Sequence, residues 1–184
     1  MIGCNRKILE CYLTLKEIPR TGWLQRGVLS PESVASHVWG TAFLTMILGE
    51  ELQRKGYNLS VEKAIKMALI HDLHEGIIGD IPSQSISKRL KDELERQVIE
   101  DLFSEHPSLR DLVLEYLSQK TLESKLVRLA DLLDMALQAG EYLKAGFSRV
   151  KDFSNVIEHI RSHELYELLR DTIEYALSLR WERT

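Results

Sequence analysis

Apolar residues fall three and four apart in nearly every stretch of this chain that is long enough to show a period, and they never alternate as a half-buried strand would require. This pattern commits the chain to helices, each with one side that must find a partner. Ile8, Leu9, Tyr12, Leu13 and Leu15 predict a helix over residues 5–17, ending before Pro19. Ser30-Pro31-Glu32-Ser33 predicts a second start: Ser30 as hydroxyl N-cap, Pro31 at the first helical position, and an early acid that suits the helix dipole. That helix should run to about Lys55, with Val34, Val38, Ala42, Thr45, Leu48 and Leu52 on its buried side and His37 beside them. Ser60 caps a third helix whose face Val61, Ile65, Ala68 ends in Asp72. Ser83 to Glu105 predicts a long solvent-facing helix with the stripe Ile86, Leu90, Leu94, Val98 and Leu102, broken by His106-Pro107. Further helical patterns cover Leu109 to Leu117, the stretch from Thr121, and Asn155 to Leu179. The fold class is therefore all-α.

At 184 residues and 44% hydrophobic content the chain suits one well-filled core, a single-domain helical bundle over residues 1–184. A net charge of -4 with no basic run longer than two excludes the electrostatic footprint of a nucleic-acid polymer. No run approaches the ~18 apolar residues of a membrane span, and no signal-peptide pattern opens the chain, so a cytoplasmic protein without a membrane partner is expected. Cys4 and Cys11, roughly 10 Å apart by helical rise, are too distant for a disulfide and read as reduced core residues.

The chemistry concentrates in His71-Asp72-Leu73-His74-Glu75-Gly76-Ile77-Ile78-Gly79-Asp80-Ile81-Pro82, where a helix end opens into a loop under the influence of Gly76, Gly79 and Pro82. A carboxylate on a buried face needs a cation, a metal or a hydrogen-bond network, so Asp72 must have a partner. The order His-x-x-His-Glu misplaces the acid for a zinc-protease helix, no serine sits in a Gly-x-Ser-x-Gly turn, and Gly76-x-x-Gly79 alone is too weak for a phosphate-cradling loop. What remains is His37, then His71-Asp72, then Asp131, each on a different predicted helix. A bundle interior can gather such residues into a metal site. Upstream, Pro19 to Val28 joins Arg20, Trp23 and Arg26 between glycines, either as a core plug with surface arginines or as a ligand-facing surface.

Four fragments then stand in one order: Pro19-Arg20-Thr21-Gly22-Trp23; Pro31-Glu32-Ser33-Val34-Ala35-Ser36-His37; His71-Asp72-x-x-Glu75-x-x-x-Gly79-Asp80-Ile81-Pro82; and Glu123-x-Lys125-x-Val127-x-x-x-Asp131. Together they resemble the HD-domain phosphohydrolases, in particular their 5′-deoxynucleotidase branch, over most of the chain. The resemblance implies a helical HD fold, commonly a homodimer. It implies that His37, His71, Asp72 and Asp131 hold one divalent cation (cobalt, manganese, magnesium, zinc or iron), that Glu75 assists the attacking water, and that Trp23 and Asp80 address the nucleotide's sugar. Some family members carry an arginine directly before the loop tryptophan; this chain has Gly22 there, leaving Arg20 and Arg26 as the candidates for phosphate. His74 and His106 are not expected to be ligands. The expected activity is hydrolysis of a (deoxy)nucleoside 5′-monophosphate to nucleoside and phosphate. The alternatives are another HD phosphohydrolase, acting on cyclic nucleotides or deoxynucleoside triphosphates, and a metal-stabilised helical module without turnover.

Overall fold

The computed structural model describes residues 2–82 and 85–181, and among them the only extended pairing is an isolated antiparallel bridge between Pro19 and Ser33. The helices are α1 (Ile2–Glu17), α2 (Thr21–Leu24), α3 (Val34–Arg54), α4 (Val61–Ile70), α5 (Glu75–Ile78), α6 (Lys88–Leu102), α7 (Pro107–Ser118), α8 (Leu122–Lys144), α9 (Ser154–Arg161) and α10 (Tyr166–Ser178). A 3-10 turn, Ser148–Phe153, joins α8 to α9. The chain has the all-α architecture that its periodicity demands.

The long helices α3 and α8 pack against each other and against α4, and their apolar sides, with α10, make the largest buried cluster: Leu48, Leu52, Met67, Leu126, Leu129, Leu133, Leu169 and Ile173 among others. A second cluster joins Cys11 and Leu15 of α1 to Val34, Val38, Leu73, Ile99, Leu102, Phe103 and Val113. Cys11 is a buried free thiol. Thr121 starts α8 with a reciprocal cap, its hydroxyl accepting from the Ser124 amide while Ser124 Oγ accepts from the Thr121 amide.

Four local expectations need correction. Ser30 is not the cap of α3: Ser33 is, its hydroxyl accepting from the Ser36 amide. The reason is non-local, because Arg20 N donates to Glu32 O and Val34 N to Ile18 O, which keeps residues 31–33 extended against the loop after α1. The helix after the central motif begins at Lys88 behind the cap Ser87; Ser83 lies outside the described residues. Its buried side carries Glu95, Ile99 and Leu102, while Leu90 of the expected stripe is 55% exposed. On α4 the fully covered side carries Ala64, Met67 and Ala68, one position round from the face Val61-Ile65.

Gly76 is required by a close approach. A Cβ there would meet the Cys11 backbone at 2.7–2.9 Å, so only glycine lets α5 lie directly on α1. Gly79 then turns the chain at φ 80°, a left-handed conformation that ends α5 and aims Asp80 back toward the loop before α2.

Candidate metal centre

Three segments meet at one point: the first turns of α3, the turn between α4 and α5, and the middle of α8. They bring His37, His71, Asp72 and Asp131 together. His37 Nε2 is 3.3 Å from Asp131 Oδ1 and 3.8 Å from Asp72 Oδ2, and His71 Nε2 is 3.3 Å from the same Asp72 oxygen. One donor atom each from His37, His71 and Asp72 lie within 4.8 Å of one another.

The other side of each ring explains its orientation. His71 Nδ1 is 2.7 Å from the Ala68 carbonyl, and His37 Nδ1 is 2.7 Å from Asp134 Oδ2. With an acceptor fixed at Nδ1, the proton of a neutral ring sits there and the Nε2 lone pair is presented to the centre. Both Nε2 atoms are buried without a hydrogen-bond partner, a costly arrangement unless something at the centre accepts those lone pairs. Two imidazoles and two carboxylates form a nitrogen–oxygen donor set that fits a divalent cation, with charge close to balanced.

The carboxylates are held just as firmly. Asp131 Oδ2 accepts from the Tyr116 hydroxyl at 2.9 Å and from Arg128 Nη1 at 2.7 Å. Burial alone would raise the Asp131 carboxyl, but Arg128 and His37 outweigh it and hold the group well below the usual carboxylate range. Asp72 behaves alike, burial being overcome by His71, Arg20 and His37. Glu75 goes the other way. It is 6% exposed, its Oε2 has no hydrogen-bond partner, and burial together with the charges of Asp72 and Asp80 lifts it well above the carboxylate range. A raised pKa makes the ionised carboxylate a stronger proton acceptor than an ordinary glutamate.

Arg20 reaches between two acids, its Nη1 lying 3.5 Å from Asp72 Oδ2 and 3.7 Å from Asp80 Oδ1. Burial disfavours its charge, yet Asp72, Asp80 and Glu75 raise its pKa further, so it is a permanent cation at the rim. Asp80 Oδ2 also accepts from the Thr21 amide at 2.6 Å, tying the loop after α5 to the loop before α2. Arg26 sits elsewhere: its Nη1 donates to Gly22 O and its guanidinium lies 4.2 Å over the Phe153 ring. Trp23 fills a third apolar cluster with Val28, Ala139 and Val150, is 2% exposed, packs on Phe153 and Tyr142, and donates its indole N–H to Glu32 Oε1 at 2.9 Å. It shapes the loop from beneath and offers a ligand little surface. His74 is buried with neither ring nitrogen hydrogen-bonded, its Nε2 3.7 Å from Glu95 and directed to α6.

Sequence reasoning missed Tyr116 and Arg128 as the holders of Asp131, and Asp134 as the partner of His37. Arg128 and Asp134 carried a signal, since each is three residues from Asp131 on the same helix. Tyr116 carried none, because its role depends on how α7 packs on α8.

An HD domain family model matches residues 13–172. The chain is 34% identical to 5′-deoxynucleotidase hdd1 of Schizosaccharomyces pombe over 79% of its own length and 75% of that protein. It is 38% identical to 5′-deoxynucleotidase HDDC2 of Xenopus laevis over 77% of its length and 71% of that protein. Among solved structures, PH0347 protein from Pyrococcus horikoshii OT3 superimposes with a TM-score of 0.87 at 42% identity, over 97% of this chain and 99% of that one.

Proposed function

We propose that this chain, which belongs to the HD domain family, is a metal-dependent phosphomonoesterase that hydrolyses 2′-deoxynucleoside 5′-monophosphates to deoxynucleoside and inorganic phosphate. The observation that carries the reading is the convergence of two buried, unpartnered imidazole nitrogens with Asp72 and Asp131, with Glu75, whose Oε2 is also unpartnered, on the same turn. His37, His71, Asp72 and Asp131 would hold the divalent cation, whose bound state supplies Lewis acidity toward a phosphoryl oxygen and a lowered pKa for water.

The chain's own residues supply the rest. Glu75 accepts a proton from the attacking water as the water oxygen bonds to phosphorus. The P–O5′ bond breaks, and the proton passes from Glu75 to the departing O5′, leaving Glu75 ionised for the next turnover. Arg20 faces the phosphate oxygens, a role its permanent charge suits. Arg26, stacked on Phe153, stiffens the loop that carries Arg20. Asp80, with Oδ2 committed to the Thr21 amide, has Oδ1 to accept from the sugar 3′-hydroxyl, and Trp23 beneath the same loop sets how close the 2′ carbon can come. No helix of the described chain is long and apolar enough to cross a membrane, which suits a small nucleotide as substrate. The reading includes one domain, a cytoplasmic setting and a homodimer. The dimer is supported by the exposed row Trp39, Phe43 and Ile47 along α3, and light scattering tests it.

The deciding experiment measures phosphate release from mono-, di-, tri- and cyclic nucleotides with cobalt, manganese, magnesium, zinc or iron(II) added to metal-stripped protein. Preference for deoxynucleoside monophosphates supports the reading. Turnover confined to cyclic or triphosphate substrates, or none with any ion, overturns it.

A further inference from the structure

His37 is gripped from both sides by one helix. Asp131 of α8 stands at its Nε2, and Asp134, one turn later on the same helix, lies 2.7 Å from its Nδ1. Asp134 reaches that position over Gly40 of α3: a Cβ on residue 40 would fall 2.0 Å from Asp134 Oδ1 and 2.8 Å from its Cγ. The carboxylate therefore occupies the space that any other residue at position 40 would fill. Glu32 stands beside it, since ligand atoms of Glu32, His37 and Asp134 lie within 4.8 Å of one another, and Glu32 Oε1 is anchored by the Trp23 indole.

These three residues do not make a second cation site. A neutral imidazole has one lone pair, and a ring that offers Nε2 to the centre must carry its proton on Nδ1. We infer that Asp134, seated in the gap left by Gly40, is a positioning residue: it accepts the Nδ1 proton of His37, fixes the ring's tautomer and rotation, and so aims Nε2 at the cation. The inference rests on the metal reading above and concerns the chain's own residues around it. Glu32, held by the Trp23 indole, stands beside the same seat. The α8 spacing Asp131-x-x-Asp134 and the glycine at position 40 are then one device, with a ligand, its orienting acid and the room for that acid supplied by two facing helices.

The test titrates Co²⁺ alone into metal-stripped wild type, Asp134→Ala, Asp134→Asn and Gly40→Ala, following affinity by calorimetry and coordination by the visible absorption of the bound ion. Asp134→Ala is expected to weaken Co²⁺ by about 10- to 100-fold, the usual cost of removing an orienting partner, with a changed absorption envelope. Asp134→Asn is nearly isosteric, and its side-chain oxygen still accepts the Nδ1 proton, so it should recover most of the lost affinity. Gly40→Ala leaves every polar group in place and should weaken Co²⁺ by displacing Asp134. Wild-type affinity in both Asp134→Ala and Gly40→Ala overturns the inference. So does equal and total loss of Co²⁺ in Asp134→Ala and Asp134→Asn, which would make Asp134 a ligand. Wild type that takes up no Co²⁺ removes the metal reading itself and this inference with it. If Gly40→Ala does not fold, the Asp134→Ala and Asp134→Asn pair decides alone.

Discussion

Asp131 turns Oδ1 toward His37 Nε2, 3.3 Å away, because its other oxygen is already taken by Tyr116 and Arg128. One carboxylate thus has a fixed side and a working side. Replacing it should do two things at once: Asp131→Ala removes a donor from the centre and strands the Arg128 cation, whose charge it balances. Metal affinity should fall by more than ~100-fold, beyond what loss of an orienting partner produces, and activity should fall with it. Metal content after dialysis and phosphate release, measured on the same preparation, check this; full metal content in the variant would show that Asp131 is not a ligand.

Tyr116→Phe makes a gentler probe. It deletes one of the two bonds to Asp131 Oδ2 and leaves Arg128 in place. Stability of the metal-free protein should drop by about 1 kcal/mol, the usual net worth of such a bond, and metal affinity should fall less than in Asp131→Ala. Chemical denaturation and metal titration give the two numbers. A Tyr116→Phe variant as deficient in metal as Asp131→Ala would mean that the hydroxyl does more than orient.

Glu75→Gln separates binding from chemistry. The side chain is buried, unpartnered at Oε2 and raised in pKa by burial, Asp72 and Asp80. It makes no contact that holds the ligand set. The variant should keep its metal and lose on the order of 10²- to 10⁴-fold in kcat, the range of general-base catalysis. Retained turnover would dismiss the role, and loss of metal would move Glu75 among the ligands. Gly76→Ala acts on the same residue from its neighbour: the new Cβ meets the Cys11 backbone at 2.7–2.9 Å and must shift α5. It should cost about 1–3 kcal/mol, as overpacking does, and lower kcat with Glu75 itself intact.

How far the sequence led can be judged from particular residues. The helical periods and the inward face of Asp131 were legible because they depend on spacing alone. The gathering of His37, His71-Asp72 and Asp131 was legible as a constellation, since each sits on, or at the end of, the inward face of a different predicted helix. The start of α3 was misread at Ser30 because the Pro19–Ser33 bridge is a contact between distant backbone segments that no local rule contains. The α6 stripe was misread because Glu95 is buried by pairing with Lys91 and His74, a charge interaction that a hydropathy pattern counts against burial. Trp23 allowed two readings, and its burial follows from the 3-10 turn that delivers Phe153, which carries no distinctive pattern.

The metal-free protein should respond to pH through His37. Burial and Arg20 press its pKa down, but the Asp131 and Asp134 carboxylates beside its two ring nitrogens prevail and lift it from 6.5 to about 10. A raised histidine contributes stability that is fully present below about 6.5 and lost as pH rises through about 10. The cation competes with that proton, so Co²⁺ affinity should instead climb as pH rises toward about 10 and level off beyond it, with proton release on binding. Calorimetry in buffers of different ionisation enthalpy counts the protons; uptake rather than release would contradict the assignment of His37 as a ligand.

The choice of sugar is the most demanding expectation. Asp80 is held 3.7 Å from Arg20 and bonded to the Thr21 amide, so it can address a sugar hydroxyl only with Oδ1. Accepting from a 3′-hydroxyl would tighten both sugars equally. Rejecting the ribo form needs a clash or an unpaired group at the 2′ side. Because Trp23 is buried against Phe153 and Tyr142, that clash would come from the loop Trp23 props up rather than from the indole itself. Asp80→Ala should therefore lower kcat/KM for deoxy and ribo monophosphates alike, whereas Trp23→Phe, which removes the indole donor to Glu32 and some volume, should narrow the ratio between them. Matched deoxy and ribo substrates assayed in the three proteins decide it: equal kcat/KM for both sugars in the wild type ends the sugar selection while leaving the phosphatase, and a ratio unmoved by Trp23→Phe takes the tryptophan out of it.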